Sequence, residues 1–308
     1  MATASRFADA LSRFVFEGAA VRGALVGLDA TRRDILACRA YPPALRRLLS
    51  ELLAATALLA STLKFDGSLI LQLAGDGPLR MLVVECDAAL TLRATAQWRD
   101  EVETFPADAD LATLAGGAAR ARLAITVDPK DGGPLYQGIV GLETASVATL
   151  IEHYLSSSEQ IASRLVLGAD GDGVRGLLVQ RLPGATAADD AAWKRIEAAA
   201  LTLPAAELLA AATPAALLAA RFPEHDIRLF EPRPARFGCR CSAERVGNAL
   251  RLLGREEVDG ILAEQGSVTA TCEFCNRGYA FDAAAAQALF AGPQDAADGS
   301  HTVAGKLH

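Results

Sequence analysis

Four of the six cysteines stand in two pairs near one end of the chain: Cys239-Arg-Cys241 and, after thirty intervening residues, Cys272-Glu-Phe-Cys275. In an extended segment residues i and i+2 point the same way, so both thiols of the first pair can face one ion. The second spacing suits a tight knuckle, in which two thiolates leave a turn and the backbone N–H groups that follow, those of Asn276 to Gly278, hydrogen-bond the sulfurs. The histidines nearest in sequence are His225 upstream and His301 in the tail, so the ligand set is all thiolate. Such a set predicts a closed tetrahedral zinc site with no open position for substrate, which argues against zinc hydrolysis. Cys239, Cys241, Cys272 and Cys275 are therefore the candidate ligands of one Zn2+ per chain. Oxidising the same thiolates to disulfides ejects the ion, so the cluster can convert an oxidant into local unfolding.

The elements that must position these thiols are short. Ser242 is placed to cap a helix bearing Val246, Leu250, Leu252 and Leu253, and Glu256 to Glu264 form a second helix that Gln265-Gly266 ends. Val268 to Thr271 and Tyr279 to Phe281 flank the knuckle as a small hairpin. A core of roughly fifty residues is marginal alone. Zinc in such sites contributes about 10–16 kcal/mol of folding free energy, so losing the metal is expected to unfold the domain, residues 237–291.

Upstream, the chain reads as two further regions. Leucines recur at helical spacing from Pro42 to Leu63, with Arg46, Arg47 and Glu51 on the other face, which predicts a long helix with a buried second half. Lys64-Phe65-Asp66-Gly67 and Gly75-Asp76-Gly77-Pro78 are turns around a strand at Ser68 to Leu73, and further strands follow at Leu79–Cys86 and Leu90–Gln97. A hairpin over Arg122–Val127 and Leu135–Leu142, a helix at Val147–Ser156, and strands at Arg164–Leu167 and Gly176–Leu182 complete an α+β domain over residues 1–183. Residues 184–236 are Ala-rich and helical in pattern, with Pro204 and Pro214 each placed as a first helical residue. Alanine loses little entropy on becoming helical but buries little area, so these helices form a linker that is stable only when docked. Glu231-Pro232-Arg233-Pro234 is a stiff joint, and residues 292–308 are a polar tail expected to be disordered.

Composition excludes several classes of function. With 308 residues and about 150 per domain, roughly two domains are expected. Lys+Arg 30 against Asp+Glu 37 leaves a net charge of −7, so there is no whole-chain positive field for nucleic acid or an anionic membrane. The cysteine-rich segment from Arg236 to Ala291 carries six Arg against seven Asp+Glu, which argues against a nucleic-acid-binding zinc module. A Cys-x-x-Cys oxidoreductase would open a helix in a βαβ unit, whereas Cys272-x-x-Cys275 precedes a strand and is matched by a second pair. The start of the chain lacks the apolar run of about 7–15 residues of a secretory signal, so a cytoplasmic protein with reduced thiols is expected. Cys38 and Cys86 lie on apolar segments and read as small core residues. Asp170-Gly-Asp172 is a turn without the remaining ligands of a calcium loop, and no P-loop, nucleophile elbow or His-Glu-x-x-His motif is present.

Beyond the cysteine pairs, the chain carries Glu256-Glu-Val-Asp-Gly-Ile-Leu-Ala-Glu264, Thr62-Leu-Lys-Phe-Asp-Gly67, Gly75-Asp-Gly-Pro78 and Tyr136-Gln-Gly-Ile-Val-Gly-Leu-Glu143. In these motifs, and over nearly its whole length, it resembles the 33 kDa chaperonin family of redox-regulated heat-shock holdases of the bacterial cytoplasm. The resemblance implies a non-enzymatic chaperone that is inactive when reduced and zinc-bound, with the linker packed on the N-terminal domain. It further implies that oxidation pairs Cys272 with Cys275 and Cys239 with Cys241, releases zinc and unfolds the linker. The product would be a homodimer that holds unfolding client proteins without ATP. The Ala-rich composition of the linker is a departure from the family's pattern.

Overall fold

A computed structural model describes residues 7–63, 66–99, 105–106, 109–117, 121–141 and 146–290, without the side chain of residue 188. The turn residues Lys64 and Phe65, the end of the 136–143 motif and the tail lie outside the described residues. The chain divides into two compact units, Met1–Gly238 and Cys239–His308.

The first unit opens with β1 (Ala10–Phe16), β2 (Val21–Leu28) and α1 (Ala30–Ala37), three elements ahead of the first one expected from periodicity. The order continues with α2 (Pro43–Thr62), β3 (Gly67–Ala74), β4 (Leu79–Asp87), β5 (Thr91–Trp98) and the short α3 (Leu111–Ala115). It then runs through β6 (Arg122–Pro129), β7 (Tyr136–Gly141), α4 (Val147–Ser157), β8 (Ser163–Ala169) and β9 (Val174–Arg181). One antiparallel sheet has the order β1-β2-β9-β8 and the other β5-β4-β3-β6-β7. The α+β class expected from the sequence holds.

Helix α2 explains why both sheets are needed. Pro43 starts it at a position where a missing N–H costs nothing. Arg46 and Arg47 are exposed in its first turns, but every residue from Leu52 to Ala60 is buried. A helix apolar all round must be enclosed, and α2 packs on β2, β8 and β9 on one side and on β3, β4 and β5 on the other. Its leucines join Val26 and Leu28 of one sheet and Leu71 and Val84 of the other in a single core.

The first sheet is apolar on its far side as well. Phe14, Phe16, Val21, Leu25, Leu177 and Val179 are buried away from α2. Gly23 faces Phe14 across the strand pair, where a Cβ would stand 2.2 Å from the ring, so its lack of a side chain lets the ring lie flat on the sheet. This face is covered by α5 (Ala187–Leu201), α6 (Ala205–Ala210) and α7 (Pro214–Arg221). Trp193, Ile196 and Ala200 form one helical stripe, and Leu203, Leu208, Leu217, Leu218 and Phe222 complete the cover. Alanines fill the remaining positions and contribute little area, so attachment rests on these few large side chains at roughly 1.5–3 kcal/mol each when fully buried. Pro214 is the first residue of α7, but Pro204 stands one position earlier than expected, as the N-cap of α6.

Polar contacts also hold the cover. The Asp189 carboxylate accepts the N–H of Ala20 at 3.0 Å, and Arg164 pairs with Glu197 at 2.8 Å. Beyond α7, β10 (Ile227–Leu229) and β11 (Arg233–Pro234) pair antiparallel with β1, so the Pro-rich joint is part of a sheet. The strand β12 (Arg236–Phe237) then crosses to the other sheet and runs parallel to β5, where Gly238 donates its N–H to the Leu92 carbonyl at 3.0 Å. Among the described residues, no helix is long and apolar enough to cross a membrane.

Candidate metal centre

The second unit contains α8 (Ala243–Leu253), α9 (Arg255–Gln265), the hairpin β13 (Ser267–Thr271) and β14 (Gly278–Asp282), and α10 (Ala283–Phe290). Ser242 caps α8 as its sequence position predicts, its Oγ accepting the N–H of Arg245 at 3.2 Å. Gly266 ends α9 in the left-handed conformation, φ 75°. Among the described residues, the buried core is Leu250, Val258, Val268, Phe281 and Ala286. Leu252, one of the apolar residues read on α8, is 91% exposed. It lies about 200° round the helix from Leu250, so the two cannot share a face. Leu253, in the last turn, is also exposed.

The hairpin and the segment before α8 bring all four cysteines together. Their sulfurs lie within 4.8 Å of one another, with Cys239 to Cys272 at 3.6 Å and Cys241 to Cys275 at 3.3 Å. Tetrahedral zinc–sulfur bonds of about 2.3 Å require sulfurs about 3.8 Å apart, so four half-buried free thiols at these spacings could hold a metal ion. The knuckle is closed by the Asn276 N–H on the Cys272 carbonyl and the Cys272 N–H on the Arg277 carbonyl, each 2.9 Å, with Asn276 at φ 57°. Of the three amides expected to serve the sulfurs, that of Arg277 donates to Cys275, whereas that of Asn276 is used by the turn.

A residue that the cysteine spacing does not reveal completes the centre. The Tyr279 hydroxyl donates to the Cys241 sulfur at 3.0 Å. Burial raises the Cys241 pKa, but the Tyr279 hydroxyl and the neighbouring thiols outweigh it and bring the group down to about 7. Burial and donation to the other sulfurs push Cys275 up to about 12, and burial raises Cys239 as well. The sulfurs are all close enough that their positions alone do not select a disulfide pairing.

The remaining cysteines lie apart from this cluster. Cys86 is buried on β4, where desolvation and Asp87 push its thiol up to about 12. Cys38, expected in the core, is half-buried at the end of α1 and donates to the Asp34 carbonyl at 3.3 Å. The Asp170 carboxylate accepts the N–H groups of Asp172 and Gly173, as a turn residue does.

A sequence profile described as Hsp33 protein matches residues 9–282, which spans both units and all four clustered cysteines. The chain belongs to the Hsp33 family. Hsp33 relatives named 33 kDa chaperonin include one from Methylobacillus flagellatus, 45% identical over 92% of this chain and 95% of its own length. Another, from Chromobacterium violaceum, is 44% identical over 92% and 94%. The crystal structure of the Hsp33 homologue from Thermotoga maritima shares the fold, with a TM-score of 0.77 over 94% of this chain and 99% of that one at 23% identity. Membership in Hsp33 makes this chain a member of a chaperone family.

Proposed function

We propose that this chain is a redox-regulated, ATP-independent holdase of the bacterial cytoplasm, inactive while reduced and zinc-bound and active once oxidised. The observation that carries the reading is the pairing of a four-thiol centre within one small unit with an apolar sheet face that is covered by thin, alanine-rich helices. Cys239, Cys241, Cys272 and Cys275 are the metal ligands, and zinc is the metal because four thiolates in a closed tetrahedral set suit it. Bound zinc supplies a crosslink between two segments whose shared core holds only five buried residues.

Oxidation acts on the chain's own sulfurs. Cys272 pairs with Cys275 and Cys239 with Cys241, each pair of thiolates giving up two electrons to one peroxide, which takes two protons from solvent and leaves as two waters. A disulfide sulfur no longer offers the thiolate that a metal requires, so the crosslink is lost and the unit melts. Cys239 follows the strand paired with β5 by two residues, so melting begins close in sequence to the joint that ends the cover. Release of α5–α7 would expose the Phe14, Phe16 and Leu177 face to unfolding client proteins. The same face gives two oxidised chains a common apolar surface, in keeping with an oxidised homodimer. None of these steps is catalytic, and nucleic acid and membrane play no part in them.

The reduced protein should contain one zinc per chain, and peroxide with mild heat should release it as both disulfides form. Metal content and peptide mapping of the disulfides check this together. Zinc retained after both disulfides have formed would contradict the proposed switch.

A further inference from the structure

Tyr279 is tied to the metal centre by more than proximity. It lies on β14 two residues before Phe281, so the two side chains share a face of the hairpin, and its ring packs beside the buried core. Its hydroxyl reaches Cys241, a ligand 38 positions earlier in the chain, while Tyr279 itself follows Cys275 by four residues. The hydroxyl thus joins the first cysteine pair to the element that carries the second.

The Arg277 guanidinium lies near enough to the Tyr279 hydroxyl and to the Cys241 and Cys275 sulfurs to interact with them electrostatically. We infer that the Tyr279 hydroxyl orients the Cys241 thiolate while the nearby Arg277 cation offsets the negative charge of the four-sulfur centre, so that Tyr279 is a positioning residue for metal binding. A proton donated to a thiolate restrains the sulfur in the geometry that the ion requires, and outer partners of this kind change metal affinity by about 10–100-fold. The inference rests on the proposed metal site and assigns to it two residues that are not ligands.

The test uses the full-length reduced protein. Zinc affinity is measured by competition with a chromophoric chelator, and Co2+ alone is added as a spectroscopic probe of the sulfurs. Tyr279→Phe keeps the ring and removes only the hydroxyl. It should weaken zinc binding about tenfold and move the thiolate-to-cobalt charge-transfer band. Arg277→Lys should retain most of the affinity that Arg277→Ala loses. Val268→Ala, which loosens the same hairpin without touching sulfur, should leave the cobalt band where it is. A Tyr279→Phe chain with wild-type zinc affinity and an unmoved band would overturn the inference while leaving the metal site standing. Equal weakening in Val268→Ala and Tyr279→Phe, with neither band moved, would also overturn it, since the role would then be packing alone. A wild-type chain that binds neither ion would overturn the metal site itself.

Discussion

Cys272→Ser is expected to abolish tight zinc binding and to melt the unit that begins at Cys239. The sulfur of Cys272 lies 3.6 Å from that of Cys239, and the knuckle it opens carries Cys275 as well. A serine hydroxyl is neutral at pH 7 and cannot replace a thiolate, so three ligands would remain. The five-residue core around Val258 and Val268 cannot compensate for the metal's contribution of about 10–16 kcal/mol. Metal content, circular dichroism and amide exchange of the reduced variant check this, with lost protection expected over α8, α9 and the hairpin. Client holding by this variant should no longer follow the oxidant. Wild-type metal affinity in Cys272→Ser would show that the ligand assignment is wrong.

Trp193→Ala should give a chain that holds clients without oxidation while keeping its zinc. Trp193 is the largest buried side chain of the cover, and it shares a stripe with Ile196 and Ala200 against the Phe14 and Phe16 face. Truncating a buried tryptophan to alanine costs about 3–5 kcal/mol. Alanine-rich helices of 15, 6 and 8 residues have little stability of their own with which to absorb that loss. The reduced variant should bind an apolar dye, lose amide protection in α5–α7 and suppress client aggregation, with its metal content unchanged. If the cover opens by exchange yet the reduced variant stays silent towards clients, the binding surface lies elsewhere.

Spacing alone makes the four-cysteine cluster legible. Cys239 and Cys241 can only be useful together, and Ser242, Gly266 and the flanking hairpin residues follow from capping and turn chemistry. Tyr279 is not legible in this way, because a tyrosine four residues beyond a cysteine carries no periodic signal and its contact with Cys241 spans 38 positions. In the first unit, α2 and the strands from Ser68 to Leu182 declare themselves by leucine periodicity and by Gly- and Pro-rich turns. The strands β1 and β2 are harder to recognise. Val21–Leu28 reads as a near-continuous apolar run, which fits a strand covered on both faces as well as it fits a short buried helix. That run holds the clue to the cover, since an antiparallel strand apolar on both faces requires a second layer. The parallel strand β12 leaves no trace in the sequence pattern, because two residues carry no period at all.

The oxidation state of four thiols is expected to decide whether the apolar sheet face can hold a client. Light scattering of a heat-unfolding client protein, followed with reduced and with peroxide-treated chain at equal concentration and without ATP, tests it most directly. Suppression of scattering by the oxidised protein alone is the predicted result. Equal suppression by the reduced, zinc-bound protein would mark the chain as a constitutive chaperone with no redox switch.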